Sequence, residues 1–373
     1  MQRSRAALCV EVFESFDAVP AAMVATFDGV NANGFFASWF WYRNLYEKAL
    51  AVGDQLRLYV VRTADATATT LLVMPMVHAR VTPRFGLRTL RSCTNFYSPL
   101  FVPLIQCDSN KLERCIEVWM SSVSAERPRW DALSLAPLDC AQPYFAQLNV
   151  GMRAVGFTPH DYFCFGNWHH RLASSDYAAY VKKLAGPTRN MITRKCRALK
   201  RMAQFHIVVC RNADQVGEAQ LAYQKVFAAS WKRPEPYSDF IPALIAGAAQ
   251  RGVLRLGIAY VGEQAVACQL WLVEDGVASI FKLAYVEAFA EWSVGTVLMA
   301  AMMQQVIEVD RVNEVDFLSG DDAFKKDWMS ARRERRGYIA FNQHSVPGRA
   351  AGLLEFLKGQ WRQRAARQPV VKV

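Results

Sequence analysis

The stretch from Gly252 to Trp328 most constrains what this chain can fold into, because it alternates short apolar segments with turn residues. Three apolar segments predict successive strands, a longer one predicts a helix, and a last one predicts another strand. The predicted strands are Leu254–Val261, Ala265–Val273, Val277–Tyr285 and Val312–Leu318, and the helix runs from Ser293 through Ile307. A strand-helix-strand crossover suits parallel neighbours. The helix start should therefore bring backbone N–H groups beside a splayed sheet, where they can hold a phosphate.

Length and composition limit the class of protein. The chain has 373 residues, of which 52% are hydrophobic, so we expect two folded domains and no extensive disorder. No apolar run reaches the roughly 18 residues that span a bilayer, and the first ten residues lack the apolar core of a signal peptide. A cytoplasmic location follows as an expectation. The nine cysteines show no paired spacing, so we predict free thiols and no metal site.

Positive charge is unevenly distributed along the sequence. The net charge is +11, and no acidic residue occurs between Tyr177 and Ala213. That window includes a predicted basic helix at 188–204, and further cations occur at 332–336 and in the tail 346–373. Such surfaces favour polyanionic partners, among them CoA phosphates, nucleotide-sugars, RNA and an anionic membrane face. A solvated helix face is the alternative, and no specific nucleic-acid motif is present.

The two halves of the chain share an order of elements. In the first half, strands are predicted at 8–13, 56–62, 70–80 and 130–135, with helices at 39–50, 109–124 and 142–155. In the second, helices at 175–185, 188–204 and 214–230 and a strand at 205–210 precede the stretch described above. This alternation predicts an α/β (α+β) fold with mixed sheets and helices on both faces. We place a first domain at 1–168, a second at 169–345 and a basic tail at 346–373.

The second half resembles the GCN5-related N-acetyltransferase (GNAT) superfamily, and within it the CelD-like branch associated with cellulose and exopolysaccharide biosynthesis. The matching segments are Arg189, Arg194–Arg201, Ser230–Lys232, Gly252–Leu256, Lys282–Tyr285, Ser293–Gly295 and Asp316–Trp328. The resemblance implies two tandem GNAT-like domains, as in FemABX peptidyltransferases, with the first one degenerate. In those enzymes a Phe-Lys pair follows the final strand, and Phe324 and Lys325 match it. The turn departs from the GNAT pattern because Gly295 is its only glycine.

An acyl thioester donor would need phosphate-binding amides, a base and a proton donor. The amides of Ser293, Val294, Gly295 and Thr296 are the candidate cofactor-binding groups. Tyr285 is the candidate proton donor, although a tyrosine at a strand end can simply cap the core. Asp316 and Asp321 are candidate bases. Asp316 can equally be a structural hydrogen-bonding residue, and Asp321 can cap a short helix.

Lys325 is the first candidate for stabilising charge in the transition state, with a solvated lysine as the alternative. Trp231, Lys232, Phe324 and Arg194 are candidate substrate-binding residues. Trp231 could form a pocket wall or pack in the core, and Lys232 could meet an anionic substrate.

The leading expectation is an N-acyltransferase that moves an acyl group from acyl-CoA, such as acetyl-CoA, to an amino or hydroxyl group of a sugar or cell-envelope precursor. Donor and acceptor would meet in a cleft between the two domains. The basic helix 188–204 and the tail could also contact a polyanion or the inner face of a membrane. Two alternatives remain open: a FemABX-like transferase that uses aminoacyl-tRNA, and a non-catalytic accessory protein of polysaccharide biosynthesis.

Overall fold

The computed structural model describes residues 7–27, 34–66, 68–79, 86–202 and 204–367, with only the backbone at residues 26, 200 and 358–367. The strands are β1 Leu8–Phe13, β2 Asp54–Thr63, β3 Thr70–Ala79, β4 Thr89–Ser92, β5 Leu104–Ile105, β6 Ala132–Asp139, β7 Phe157–Arg171, β8 Phe205–Cys210, β9 Leu254–Val261, β10 Gln264–Glu274, β11 Val277–Tyr285, β12 Glu314–Asp316 and β13 Ala331–Asn342. The helices are α1 Ala21–Val24, α2 Trp39–Ala49, α3 Ser109–Ala125, α4 Pro143–Ala154, α5 Tyr177–Lys183, α6 Gly186–Lys200, α7 Val216–Ala228, α8 Phe240–Gln250, α9 Val294–Gln304, α10 Ala323–Lys326 and α11 Val346–Arg367.

The chain forms two compact units, each built from separated segments. Unit 1 comprises residues 1–28, 50–164 and 335–373, and unit 2 comprises residues 29–49 and 165–334. The prediction used contiguous segments divided at residue 168. The structure instead assigns 29–49, which includes α2, to the unit that contains most of the second half, and it assigns α11 to unit 1.

Unit 1 is a mixed sheet with helices packed against it. Its strands follow the order β1-β2-β3-β4-β6-β13, and β5 pairs with β3. Strands β4 and β6 run parallel, whereas β1, β2 and β3 pair antiparallel. Helix α3 buries Trp119 beside Tyr59 of β2, with ring centroids 6.2 Å apart. Burial of such large rings gives this unit a core of its own.

The strands of unit 2 follow the order β7-β12-β11-β10-β9-β8 and include both parallel and antiparallel pairs. Strands β8 to β11 form an antiparallel meander, and the crossover through α9 makes β11 and β12 parallel neighbours. The apolar helix α9 packs in the core with Leu298 and Met302 fully buried. The predicted mixed α/β fold is confirmed. The two strands joined by the predicted crossover, β11 and β12, are parallel neighbours.

Helix α2 completes unit 2 with aromatic side chains. Trp41 is fully buried, and its ring lies 5.8 Å from that of Phe240 in α8 and 6.0 Å from that of Phe281 in β11. Phe40 lies against Gly247 of α8, where a Cβ would come within 2.2 Å of its ring. A larger residue at 247 would therefore displace the Phe40 ring from its position against α8.

Candidate functional site

The parallel strands of unit 2 separate after a short paired region. The pairs Val277–Glu314, Ala278–Val315 and Ser279–Asp316 define the whole register between β11 and β12. Strand β12 ends at Asp316, whereas β11 continues to Tyr285 and stays paired with β10 on its other side. The sequence predicted a splayed sheet here, and this geometry leaves one edge of β11 without a neighbouring strand from Ile280 onward within the described pairings.

A cavity of about 480 Å³ lies at this separation and is called the splay cavity below. Strand β11 contributes Leu283, Ala284 and Tyr285, and the residues after β12 contribute Phe324, Asp327 and Trp328. The remaining lining comes from α6, the loop after α7, β10 and the start of α9: Met191, Trp231, Gln269, Ala290, Ser293, Gly295, Thr296 and Met299. Its size suits a small-molecule ligand or the arm of a larger one.

Unsatisfied amides occur at the start of α9. The N–H of Ser293 donates to the Ala290 carbonyl, and those of Thr296 and Val297 donate to the Ser293 carbonyl. The amides of Val294 and Gly295 have no hydrogen-bond partner among the described residues. With the positive end of the helix dipole they form an anion-binding arrangement.

Ser293 has φ 56° and ψ 40°, a left-handed conformation that is uncommon for a residue with a side chain. It turns the chain sharply from the 3-10 helix Glu287–Trp292 into α9. Gly295 lies close to Tyr285, since a Cβ at 295 would be 3.2 Å from a ring carbon of that tyrosine. The side chain of Val294 is fully buried in the core, so only its backbone amide is available for the predicted binding of the cofactor.

Two residues fix the turn from outside. Gln269 of β10 is buried, donates to the Gly295 carbonyl at 3.1 Å and accepts from Trp271 at 2.9 Å. Lys195 of α6 donates to the Glu291 carbonyl, which places an ammonium group beside the turn. Sequence reasoning missed Gln269, although a glutamine inside an apolar strand is a feature it could have used.

Trp231 and Tyr285 form one wall of the splay cavity. Their ring centroids are 4.4 Å apart, and the Trp231 side chain remains substantially exposed. Phe324 also lines the cavity and packs edge-on against Phe317 at 5.5 Å. Three of the predicted catalytic or substrate-binding residues are therefore brought together here.

Asp316 lies in a buried polar cluster and does not line the splay cavity. Its carboxylate accepts from the Asn167 amide and the Leu318 N–H, each at 2.6 Å, and from the Arg333 guanidinium. Arg333 also pairs with Glu314 at 2.9 Å. These contacts satisfy the carboxylate and tie the end of β12 to β7 and β13, which favours the structural alternative for Asp316.

Asp321 forms an exposed ion pair with Arg332, with a shortest contact of 2.7 Å, and accepts from the Trp168 indole at 2.7 Å. The hydrogen bond from Arg332 lowers the pKa of the Asp321 carboxyl, which makes it a weaker base. Its predicted role as a base is thus unfavourable in this arrangement.

Lys325 is buried and held by backbone carbonyls. Its ammonium group donates to the Ser319 carbonyl and, at 3.4 Å, to that of Gly320, and it lies 3.4 Å from an oxygen of Asp322. Burial lowers the pKa of this ammonium, and Asp322 opposes that change. Lys325 is not a solvated lysine, and it is absent from the lining of the splay cavity.

The other predicted residues lie apart from the splay cavity. Arg194 is exposed on α6, and Lys232 lines a different cavity between α7 and α8. The cations at 332–336 do not form a free positive surface: Arg332, Arg333, Arg335 and Arg336 are paired with Asp321, Asp316, Asp139 and Asp161. Across the described residues no group of three or more metal-ligating side chains occurs.

Part of the chain matches a known family model. Residues 187–326 match the family model described as an acetyltransferase (GNAT) domain. The matched range contains the meander, α9, β12 and α10. A sequence search of curated proteins finds no match.

Several solved structures resemble the chain at low sequence identity. FemX is 8% identical, with 88% of this chain and 96% of that chain covered and a TM-score of 0.59. A tandem GNAT protein from the clavulanic acid biosynthesis pathway is 13% identical, with 90% and 98% covered and a TM-score of 0.49. L-PGS from Bacillus licheniformis is 10% identical, with 85% and 95% covered and a TM-score of 0.47. At such identity the likeness to FemX is one of fold.

Proposed function

We propose that this chain is an acyltransferase that moves an acyl group from acyl-CoA to an amino or hydroxyl group of a sugar or cell-envelope precursor. The observation that carries the proposal is the splay cavity, because Gly295, whose amide is free, and the unpaired edge of β11 border one space. The match of residues 187–326 to the GNAT domain supports a transferase of this class. The exopolysaccharide context rests on the sequence resemblance to the CelD-like branch.

The amides of Val294 and Gly295 would bind the donor phosphates, and Lys195 would add positive charge beside them. The thioester arm would then lie along the free edge of β11, where strand amides can polarise the acyl carbonyl. Transfer breaks the thioester C–S bond and forms a C–N or C–O bond. The acceptor loses a proton, and the departing thiolate takes one.

Tyr285 is the residue we propose as proton donor to that thiolate, since its ring lines the splay cavity at the end of β11. Lys325 would act indirectly, by holding the loop after β12 through its bonds to the carbonyls of residues 319 and 320. Asp316 and Asp321 are each bound by an arginine. The incoming nucleophile would then be a neutral amine or a hydroxyl group that gives up its proton to water.

The direct test is thermal stability of the purified protein with acetyl-CoA, longer acyl-CoAs and free CoA. A ligand at about 100 times its dissociation constant adds roughly 2.7 kcal/mol to stability, which raises the melting temperature measurably. Gly295→Glu would place a carboxylate at the amides and against Tyr285, so we expect it to abolish the shift while the protein stays folded.

Gly217→Glu is the matched control, because Gly217 lies in the first turn of α7 in open space and the charge change is the same. A shift that persists in folded Gly295→Glu would refute the assignment of the phosphate site. No shift of the wild-type protein with any CoA would refute the choice of donor.

An aminoacyl-tRNA donor is the second candidate, and the basic face of α6 favours it. Arg194 and Arg197 are exposed on this helix, and Lys195 reaches the turn before α9. A nucleic acid could thus approach the same amides along a positive surface. Loss of transferase activity on treatment with ribonuclease would support this donor, and full activity with acyl-CoA in ribonuclease-treated protein would exclude the need for it.

We further propose that the protein works at the cytoplasmic face of a membrane through α11. Leu353, Leu354, Phe356 and Leu357 of this helix are exposed, as is Arg349. Exposed apolar groups beside positive charge suit an anionic lipid surface. None of the helices described is long and apolar enough to cross a bilayer. Co-sedimentation with anionic vesicles, but not with neutral ones, is the expected result; no sedimentation with either would refute it.

A further inference from the structure

We propose that the cavity between α7 and α8, called the α7–α8 cavity below, binds an anionic group of the acyl acceptor through the Lys232 ammonium. The acceptor would be a small molecule with a carboxylate or phosphate and an apolar part. The identification of this ligand as the acyl acceptor rests on the proposed function. The binding of an organic anion at Lys232 does not depend on it.

The α7–α8 cavity has a volume of about 350 Å³, at the lower end of small-molecule sites. Its walls are largely apolar, with Phe227 from α7 and Ile241 and Ile245 from α8. The polar groups at its lining include Gln220, Gln224, Ser238 and the carboxylate of Glu235, which is paired with Lys282. An apolar space with a few polar groups is typical of a site that binds one end of an amphiphilic ligand.

Two lysines flank the Phe227 ring, and only one of them has an acidic partner. Lys282 of β11 forms an ion pair with Glu235 at 2.8 Å. Lys232 lies over the rings of Phe227 and Trp231, at 5.9 Å and 5.8 Å from their centroids. Among the residues that the structure describes, its ammonium group has no carboxylate within ion-pair distance.

The uncompensated charge is what predicts the ligand. Because Glu235 is already paired with Lys282, the surroundings of Lys232 carry an excess positive charge. Burial lowers the pKa of the Lys232 ammonium and the nearby Lys282 lowers it further, while Glu235 opposes these effects. An anion in the α7–α8 cavity would reverse both effects, since a charged partner stabilises a partly buried ammonium. A neutral ligand would not.

The position of Lys232 links this cavity to the proposed donor site. Lys232 follows directly after Trp231, whose ring lines the splay cavity against Tyr285. In the same way Lys282 of β11 lies next to Leu283, which lines the splay cavity. Lys232 and Lys282 are thus each next in sequence to a residue that lines the splay cavity, so the α7–α8 cavity and the proposed donor site both adjoin the loop after α7 and strand β11.

The test measures the NMR signal of Lys232 directly. Lysines of the folded protein are reductively methylated with isotope-labelled methyl groups, and the Lys232 resonance is assigned by its absence in Lys232→Arg. Probes are phenylbutyrate, phenylpropyl phosphate and the neutral phenylbutanol. We expect one or both anions to shift the Lys232 resonance and raise its titration midpoint, and phenylbutanol to do neither. The responding anion distinguishes a carboxylate site from a phosphate site.

Binding of the responding anion is then measured by calorimetry on unmethylated variants. Removal of a charged hydrogen-bonding partner should weaken it roughly 10- to 100-fold in Lys232→Met. Lys232→Arg should retain most of the affinity, and Lys225→Met, an exposed lysine on α7, should match the wild type. Equal binding of anions and phenylbutanol, or undiminished binding in Lys232→Met, would overturn the proposal.

Acetyl-CoA separates this inference from the proposed function. We expect Lys232→Met to bind acetyl-CoA as the wild type does. If acetyl-CoA itself shifts the Lys232 resonance and competes with the anion, Lys232 belongs to the donor site and the acceptor assignment is wrong. If acetyl-CoA fails to bind while the anion binds at Lys232, the proposal of acyl-CoA as the donor is refuted and the proposal of an anion site at Lys232 is retained.

Discussion

Replacement of Asp316 by asparagine tests whether this residue holds the site together or takes part in the chemistry. The carboxylate accepts hydrogen bonds from the Asn167 amide, the Leu318 N–H and the Arg333 guanidinium. In Asp316→Asn the new side chain would keep one oxygen for the Asn167 and Leu318 donors but would present an NH₂ group to Arg333. We therefore expect the region to lose stability while its fold is retained.

The magnitude follows from the contacts of Arg333. Removing one partner of a buried ion pair costs about 3–5 kcal/mol. The Arg333 side chain is 28% exposed and keeps Glu314 at 2.9 Å, so roughly half of that, about 2 kcal/mol, is expected for Asp316→Asn. Because Arg333→Met removes the same pair, a double-mutant cycle should give a coupling energy of about 1–3 kcal/mol.

Hydrogen-deuterium exchange of peptides that cover residues 312–320 is the appropriate assay, because the two units need not unfold together. The free energy of local opening is compared among the wild type, both single variants and the double variant. If the losses of opening free energy in the two single variants add up to that of the double variant within about 0.5 kcal/mol, the coupling between Asp316 and Arg333 is refuted. Unchanged exchange in an Asp316→Asn protein that has lost transferase activity would instead make Asp316 the base.

Two further predictions concern buried titratable groups. Lys325→Met should destabilise the protein by roughly 1–3 kcal/mol in thermal unfolding, because it leaves the carbonyls of residues 319 and 320 without the Lys325 donor. Lys326→Met, at the exposed neighbouring residue, should change the stability little. Equal effects of the two substitutions would refute the anchoring role of Lys325. Burial and then Arg333 lower the pKa of His169 from about 6.5. The stability that its neutral form gives is therefore complete above about pH 6.5 and is lost as the pH falls towards the native pKa. His169→Gln should thus lose less stability than the wild type in urea unfolding between roughly pH 7 and pH 5, and an identical pH dependence would contradict this.

Much of unit 2 could be predicted because its strands are bounded by local features. Strands β8, β9 and β11 match the predicted bounds, and glycines with positive φ at 262 and 276 lie in the turns that separate β9, β10 and β11. The start of α9 was also predicted as a phosphate-type turn. In these segments alternation and turn residues suffice, because the strands pair with their neighbours in sequence.

The long strands β7 and β13 escaped prediction, since their residues do not alternate simply between apolar and polar. Strand β13 begins with cations at 332, 333, 335 and 336, which the sequence indicates as a free positive surface. Their carboxylate partners come from distant positions, as with Arg335 and Asp139 at 2.7 Å. The same reason explains why Asp316 and Asp321 seemed available as bases. Ion pairs between distant segments depend on tertiary structure.

Because each unit is built from separated segments of the chain, neither can be isolated as one continuous fragment. A fragment of residues 169–345 contains the GNAT match but lacks α2, and so lacks Trp41, which packs on Phe240 and Phe281. Such a fragment would expose the aromatic surface that α2 covers. The unit that carries the site cannot be excised by a single cut. Recombination between relatives, or a truncation in the laboratory, must transfer residues 29–49 with it.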